Sequence, residues 1–211
     1  MIYELWQKKF DIHRLQKHLF DFVLPLEATY QSPAFGGWSV LSSDGSHTDG
    51  WHNGHTLYAN TQPNTEYNIA RLAEVGGKHS AEYVIPTDIC HGYMEEVIKT
   101  IEDLQLFPRR ARIIQLAAES ESIWHRDAAN STYAVRMHIP LLTNDFCYFE
   151  TENEKAHLPA DGSVYFLYVN RIHRVINNGK THRYHLVMDI TDKSNVTTYH
   201  RYQDFYEVKE I

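Results

Sequence analysis

Ile172-His173-Arg174-Val175-Ile176-Asn177-Asn178-Gly179-Lys180-Thr181-His182-Arg183-Tyr184-His185-Leu186-Val187-Met188-Asp189-Ile190 decides the fold. Ile172 to Ile176 and His182 to Ile190 are rich in β-branched and aromatic residues, and turn-forming Asn177-Asn178-Gly179 lies between them. The turn has two readings. A three-residue loop with Gly179 left-handed sets Ile176 opposite Lys180 and His173 opposite Arg183. A two-residue Asn178-Gly179 loop sets His173 opposite Tyr184 and sends Arg183 to the other face. A site that uses both His173 and Arg183 requires the odd-length loop.

Working outward, Arg112 to Leu116, Tyr133 to Leu142, Phe146 to Phe149 and Val164 to Val169 also read as strands, with Ala160-Asp161-Gly162 as a further turn. The segment before Arg110 is different. Asp11 is placed to cap a helix whose buried stripe is Ile12, Leu15, Leu19 and Phe22, with Pro25 beyond its end. Gly37 to Leu41 is a short strand. Ser42 to Asn64 is a long polar segment and a candidate lid. A second helix is expected over 65–75, stopped by Gly76-Gly77. A third is expected after a Thr87 or Asp88 cap, burying Cys90, Met94, Val97, Ile101 and Leu104. Helices followed by a run of antiparallel strands imply a single domain over 1–211. It is mainly β with flanking helices (α+β): a helical and lid region over 1–109 and a barrel core over 110–190.

The 211 residues allow one substantial core. With 43% hydrophobic and 22% charged residues the chain is globular. A net charge of −7 argues against a broad nucleic-acid surface. No apolar run approaches bilayer length, and Met1-Ile2-Tyr3-Glu4 does not begin like a signal peptide. Two cysteines, Cys90 and Cys147, provide no disulfide framework and are expected to pack as small apolar residues. A cytoplasmic setting is the expectation.

His125-Arg126-Asp127 carries the chemistry. On a strand, His125 and Asp127 share a side and Arg126 takes the other. With His173 as third ligand, two imidazoles and a carboxylate can hold a divalent iron on one face and leave the other face open. Arg183 nearby can grip a carboxylate through paired, charge-assisted hydrogen bonds. In Tyr133-Ala134-Val135-Arg136-Met137-His138-Ile139, Arg136 and His138 share one face, where they can bind an acid inside a barrel mouth. These residues point to an iron oxygenase that consumes a dicarboxylic co-substrate.

Arg136-Met137-His138, Gly162-Ser163-Val164-Tyr165-Phe166, His173-Arg174-Val175 and Arg183 to Asp189 resemble the aspartyl/asparaginyl β-hydroxylase family of iron(II)/2-oxoglutarate oxygenases, which includes bacterial proline hydroxylases. The resemblance covers roughly Arg112 to Ile190. It implies a double-stranded β-helix (a cupin-like jelly roll) and the co-factors Fe(II), 2-oxoglutarate and O2. It also implies that His125, Asp127 and His173 ligate iron, that Arg183 holds the distal carboxylate of 2-oxoglutarate, and that Arg136 and His138 lie near its chelating end. The animal members lack the ligand carboxylate that Asp127 supplies here, which makes the chain more similar to the branch acting on small amino acids and argues against halogenation. The implied activity is hydroxylation of an unactivated carbon in a free amino acid, a peptide residue or a related small metabolite. Desaturation or cyclisation would use the same ligand set. Two other classes compete: a metal cupin acting without 2-oxoglutarate, and a non-catalytic cupin-like binding protein.

Other features carry less. His125 to Asn130 superficially matches a kinase catalytic loop, but the position five residues after the aspartate is Thr132 rather than asparagine. His47, His52 and His55 are expected to be solvated loop histidines, and Trp51 and His52 are candidates to touch substrate. Trp124 is read as core or pocket lining, and Arg126 as solvated or facing an anionic substrate. His185, unlike His182, shares a face with Arg183.

Overall fold

The computed structural model describes residues 3–30, 32–49, 82–125, 135–169, 171–191 and 206–207. The expected helix over 65–75, most of the candidate lid, Trp51, His52, His55, Arg126, Asp127 and the first residues of the Tyr133 to Leu142 strand lie outside them.

The strands are β1 (Tyr3–Lys9), β2 (Thr29–Tyr30), β3 (Phe35–Ser39), β4 (Leu41–Ser42), β5 (Ile85–Pro86), β6 (Phe107–Leu116), β7 (Ser120–Glu121), β8 (Val135–Leu142), β9 (Cys147–Thr151), β10 (Lys155–Ala156), β11 (Ser163–Tyr168), β12 (His173–Asn177), β13 (Arg183–Thr191) and β14 (Tyr206–Glu207). The large sheet has the order β14-β1-β11-β8-β13-β6-β3-β2; the small one is β10-β9-β12-β7. From β6 to β13 the chain alternates between them, apart from the β9–β10 step within the small sheet. All pairs are antiparallel. That alternation makes a double-stranded β-helix, the jelly-roll core expected from the sequence.

The same alternation overturns the hairpin. β12 and β13 do not pair. β12 lies between β9 and β7, and β13 lies between β6 and β8. Residues 178–182 carry the chain from one sheet to the other, so neither loop length applies. His173 is registered with Thr151 and Arg183 with Leu116. The turn chemistry is nevertheless used. The Gly179 amide donates to Asn177 Oδ1 at 3.1 Å, and Asn177 Nδ2 donates to the carbonyls of Ala117 and Thr181, both at 2.9 Å.

Two apolar layers hold the sheets. The outer layer packs the large sheet against helices. It takes Met137, Ile139 and Leu141 from β8, Val164 and Phe166 from β11, and Leu186 and Met188 from β13. The inner layer, between the sheets, includes Phe149, Leu158, Tyr165 and Leu167. β11 is buried at every position because it faces both layers, which is why it reads as a continuous apolar run.

Helix α1 (Ile12–His18) is capped as expected: Asp11 accepts from the amides of His13 and Arg14 at 3.0 and 3.1 Å. It runs into a π-helical turn (Leu19–Val23), in which the Leu24 amide donates to the Leu19 carbonyl. The wider turn advances the buried stripe, so Leu15, Leu19 and Val23 are fully buried while Phe22 is 46% exposed, contrary to its expected place inside. Helix α2 (Gly92–Asp103) starts later than expected, after His91, with Met94, Val97, Ile98 and Ile101 inward. Thr87 is not its cap: its hydroxyl donates to the Ser39 carbonyl at 2.7 Å and ties the helix approach to the sheet. Each such buried aliphatic side chain contributes roughly 1.5–3 kcal/mol. No helix among the described residues is long and apolar enough to cross a membrane.

Candidate active site

His125 and His173 come together at the edge of the small sheet. They form an antiparallel bridge, each amide donating to the other's carbonyl at 2.9 and 2.8 Å. Their ring centroids are 4.4 Å apart. Each ring is oriented by its own backbone: His125 Nδ1 donates to the Ile123 carbonyl and His173 Nδ1 to the Arg171 carbonyl, both at 2.8 Å. A carbonyl can only accept, so this contact fixes the tautomer in which Nε2 carries the lone pair. Two imidazoles so prepared suit a divalent transition metal. Asp127, the expected third ligand, lies outside the described residues, and no three-ligand group occurs among the described ones.

Behind the imidazoles the small sheet is tied by Arg174. Its guanidinium donates to Glu150 on β9 at 2.6 Å and to Glu121 on β7 at 3.0 Å, and it lies 4.8 Å from the Trp124 ring. Trp124 is 44% exposed, so it is not core. The other face of β12 points inward, where the His173 ring stacks on Phe149 at 4.9 Å.

Phe149 is one wall of a small, partly open cavity of about 10 Å³ between the two sheets, which Arg183 also lines. Arg183 and His173 therefore approach the same interior from opposite sheets. Arg183 is 4% exposed and its Nε has no hydrogen-bond partner. Burial lowers its pKa to about 10, still high enough to keep it charged near neutrality. A buried cation in a cavity, with an unmet donor, fits an anionic ligand.

Arg136 and His138 turn inward and are each 7% exposed. His138 is held neutral: burial lowers its pKa well below 6.5, and Arg183, Arg136, His173 and Arg112 add to the effect. Its ring meets that of His185 edge-on at 5.8 Å. The Arg136 Nε donates to Asp189 Oδ1 at 2.8 Å in a buried ion pair between β8 and β13. Burial alone would raise the Asp189 pKa, but Arg136, Arg110 and Arg112 outweigh it and hold the carboxyl below its usual value.

Two buried polar residues that pair near these groups carry no site signal in the sequence. Asp189 follows Arg183 and His185 at alternate positions on β13, a spacing that marks it as inward. In the sequence Asn177 reads only as a turn former. It is fully buried, and its Oδ1 also accepts from Asn144 Nδ2 and Cys147 Sγ, both at 3.2 Å, which fixes the loop that carries Arg183. Of the loop histidines, His47 is not simply solvated: its Nδ1 lies 3.0 Å from Asp88.

Residues 90–193 match the family model for aspartyl/asparaginyl beta-hydroxylase. No curated protein sequence matches the chain. Among solved structures the chain is similar to an oxidoreductase of the 2OG-Fe(II) oxygenase family from Burkholderia pseudomallei, at 16% identity, covering 88% of this chain and 79% of that one, with a TM-score of 0.46. It is also similar to IDO from Bacillus thuringiensis, at 10% identity and 86% coverage of both, with a TM-score of 0.41. A cupin domain from Bordetella pertussis Tohama I matches at 20% identity over 40% of this chain and 81% of that one, with a TM-score of 0.33.

Proposed function

From the match of residues 90–193 to the aspartyl/asparaginyl beta-hydroxylase family model, a family of 2-oxoglutarate-dependent oxygenases, we propose that this chain hydroxylates an unactivated carbon of a free amino acid, a peptide residue or a related small metabolite. The co-factors of such enzymes are iron(II), 2-oxoglutarate and O2. The observation that carries the proposal is Arg183, a buried guanidinium with an unmet donor in an interior cavity that it shares with Phe149, on which His173 stacks.

His125 and His173, with Asp127 as the third ligand expected from sequence, would hold the iron. Arg183 would hold the distal carboxylate of 2-oxoglutarate. When bound, iron and 2-oxoglutarate supply the activation of O2 for insertion of one oxygen atom into a C–H bond. The chain's own work is placement. The carbonyls of Ile123 and Arg171 orient the two imidazoles. Arg183 would align the co-substrate by its far end, and Phe149 and Leu158 supply apolar wall to the cavity it lines. His138, held neutral, can donate one N–H at the inner face without adding a second cation.

The test is calorimetric titration of the anaerobic protein with 2-oxoglutarate in the presence of Fe(II), followed by oxygen uptake and succinate release with an amino-acid and peptide panel read by mass. Arg183→Ala is expected to weaken 2-oxoglutarate binding by at least about a hundred-fold, the loss of a paired charge-assisted contact. Unchanged affinity in that variant removes Arg183 from the site. A cupin that turns over without releasing succinate would replace the proposal.

A further inference from the structure

Ile123 is 82% exposed, more than any other large apolar side chain among the described residues, and it lies two residues before His125. Its position follows from a break in strand register. β7 pairs with β12 so that Ser120 is opposite Asn177 and Glu121 is opposite Ile176. Carried on unchanged, that register would set Trp124 opposite His173. The structure sets His125 there instead, each backbone amide donating to the other's carbonyl. Ser122, Ile123 and Trp124 therefore span what only Arg174 and Val175 span on β12. The extra residue is a β-bulge, and it pushes Ile123 out of the sheet edge.

That residue decides which way a ring points. Directly opposed residues project to the same side of a sheet, so the bulge brings the His125 ring to the His173 side. Without it His125 would stand one place past the pairing, on the other face. Two side chains latch the bulge. The Ser122 amide donates to the Val175 carbonyl at 2.9 Å, and the Val175 amide donates back to Ser122 Oγ at 3.0 Å, a hydroxyl where a regular ladder has a carbonyl. Arg174 reaches both ends of the bulge. Its Nη1 donates to Glu121 Oε2 at 3.0 Å, and its guanidinium lies 4.8 Å from the Trp124 ring. The carbonyl of the extruded Ile123 accepts from His125 Nδ1 at 2.8 Å. An isoleucine in water gains nothing from burial, whereas its backbone here orients an imidazole.

We propose that this bulge is the register device of the metal site, and that Ser122 is a positioning residue that holds it. Ser122 acts through the backbone that carries His125. The inference rests on the reading of His125 and His173 as iron ligands and assigns the feature that sets both on one face.

The experiment is titration of the intact chain with Co(II), read by the visible absorption of the bound ion, together with amide hydrogen exchange of the metal-free protein. Ser122→Ala removes the latch. It is expected to weaken Co(II) binding roughly ten- to a hundred-fold, the usual effect of losing a ligand's support. Without metal, the His125 and His173 amides should exchange about ten-fold faster, while the amides of β13 keep their rates. Ser122→Thr keeps the hydroxyl and restores both readouts. Deletion of Ile123 straightens the register and sets Trp124 opposite His173. It should weaken Co(II) binding by more than about a hundred-fold with the far-UV circular dichroism unchanged, since the bulge is at a sheet edge. If the deletion unfolds the protein, the Ser122 series decides by itself. Native Co(II) affinity in Ser122→Ala overturns the proposal and leaves the metal reading standing. So does a loss that Ser122→Thr does not rescue, or exchange that rises equally throughout the chain, since either marks a merely structural role. A wild-type protein that binds no Co(II) overturns both.

Discussion

Replacing Asp189 with asparagine keeps the side-chain shape and removes one buried charge. The Asp189 and Arg136 side chains are 2% and 9% exposed and meet at 2.8 Å. Arg110 and Arg112, 2% and 6% exposed, also act on this carboxyl. The variant therefore removes from a low-dielectric interior a carboxylate charge that offsets Arg136, Arg110 and Arg112. Breaking such a pair costs about 3–5 kcal/mol. The exposed Lys9–Asp161 pair has the same 2.8 Å separation, yet solvent limits its worth to about 1 kcal/mol or less. For a chain of this size, about 2–4 °C per kcal/mol puts the expected fall in Tm on the order of 6–20 °C. Urea and thermal unfolding at pH 7 measure it, with Arg136→Met and the double variant closing a mutant cycle. The sign of the pH dependence follows from the lowered Asp189 pKa. The stabilisation is complete above the ordinary carboxylate value of 3.8 and disappears as pH falls through the lower folded value. The gap between wild type and Asp189→Asn should therefore narrow only in strong acid. A loss below about 1 kcal/mol at pH 7, or additive effects in the cycle, would refute the reasoning.

His125→Ala and His173→Ala should each abolish tight Co(II) or Mn(II) binding. The loss should exceed the roughly 10–100-fold that follows removal of a ligand's hydrogen-bond partner, and near-native affinity in either variant would exclude that imidazole. Gly162 has φ +86°, and an added Cβ would lie 2.1 Å from the Phe10 carbonyl oxygen, whose amide bonds back to Gly162. Gly162→Ala should cost at least about 3 kcal/mol by denaturant melt from strain and overpacking together. The buried His18 ring donates to the Ile89 carbonyl at 2.9 Å, and burial leads the lowering of its pKa below 6.5. Its contribution is complete above that value and is lost as pH falls through the folded one. His18→Gln should accordingly flatten stability between pH 7 and 5, and an unaltered slope would discount this histidine.

Local signals determined a good deal of this protein. Asp11 marked the first helix because a carboxylate meets orphan amides only at an N-terminus. The alternation Arg136/His138 against Met137/Ile139 marked a strand with unlike faces, and the family resemblance held over the barrel. The lowered stripe of Phe22 was not legible, since a π-helical turn is a choice of hydrogen-bond partner that a 3.6-residue period cannot show. Nor was the path after Asn177. Asn177-Asn178-Gly179 has the same turn chemistry whether the chain folds back on its neighbour or crosses to the other sheet. That choice belongs to distant strands: β9 and β7 claim β12, and β6 and β8 claim β13. Sequence alone thus marked His125, His173 and Arg183 as the candidate groups. Only the tertiary structure decided that the histidine and the arginine face one interior from opposite sheets, because strand partnership is a long-range packing outcome that no local spacing encodes.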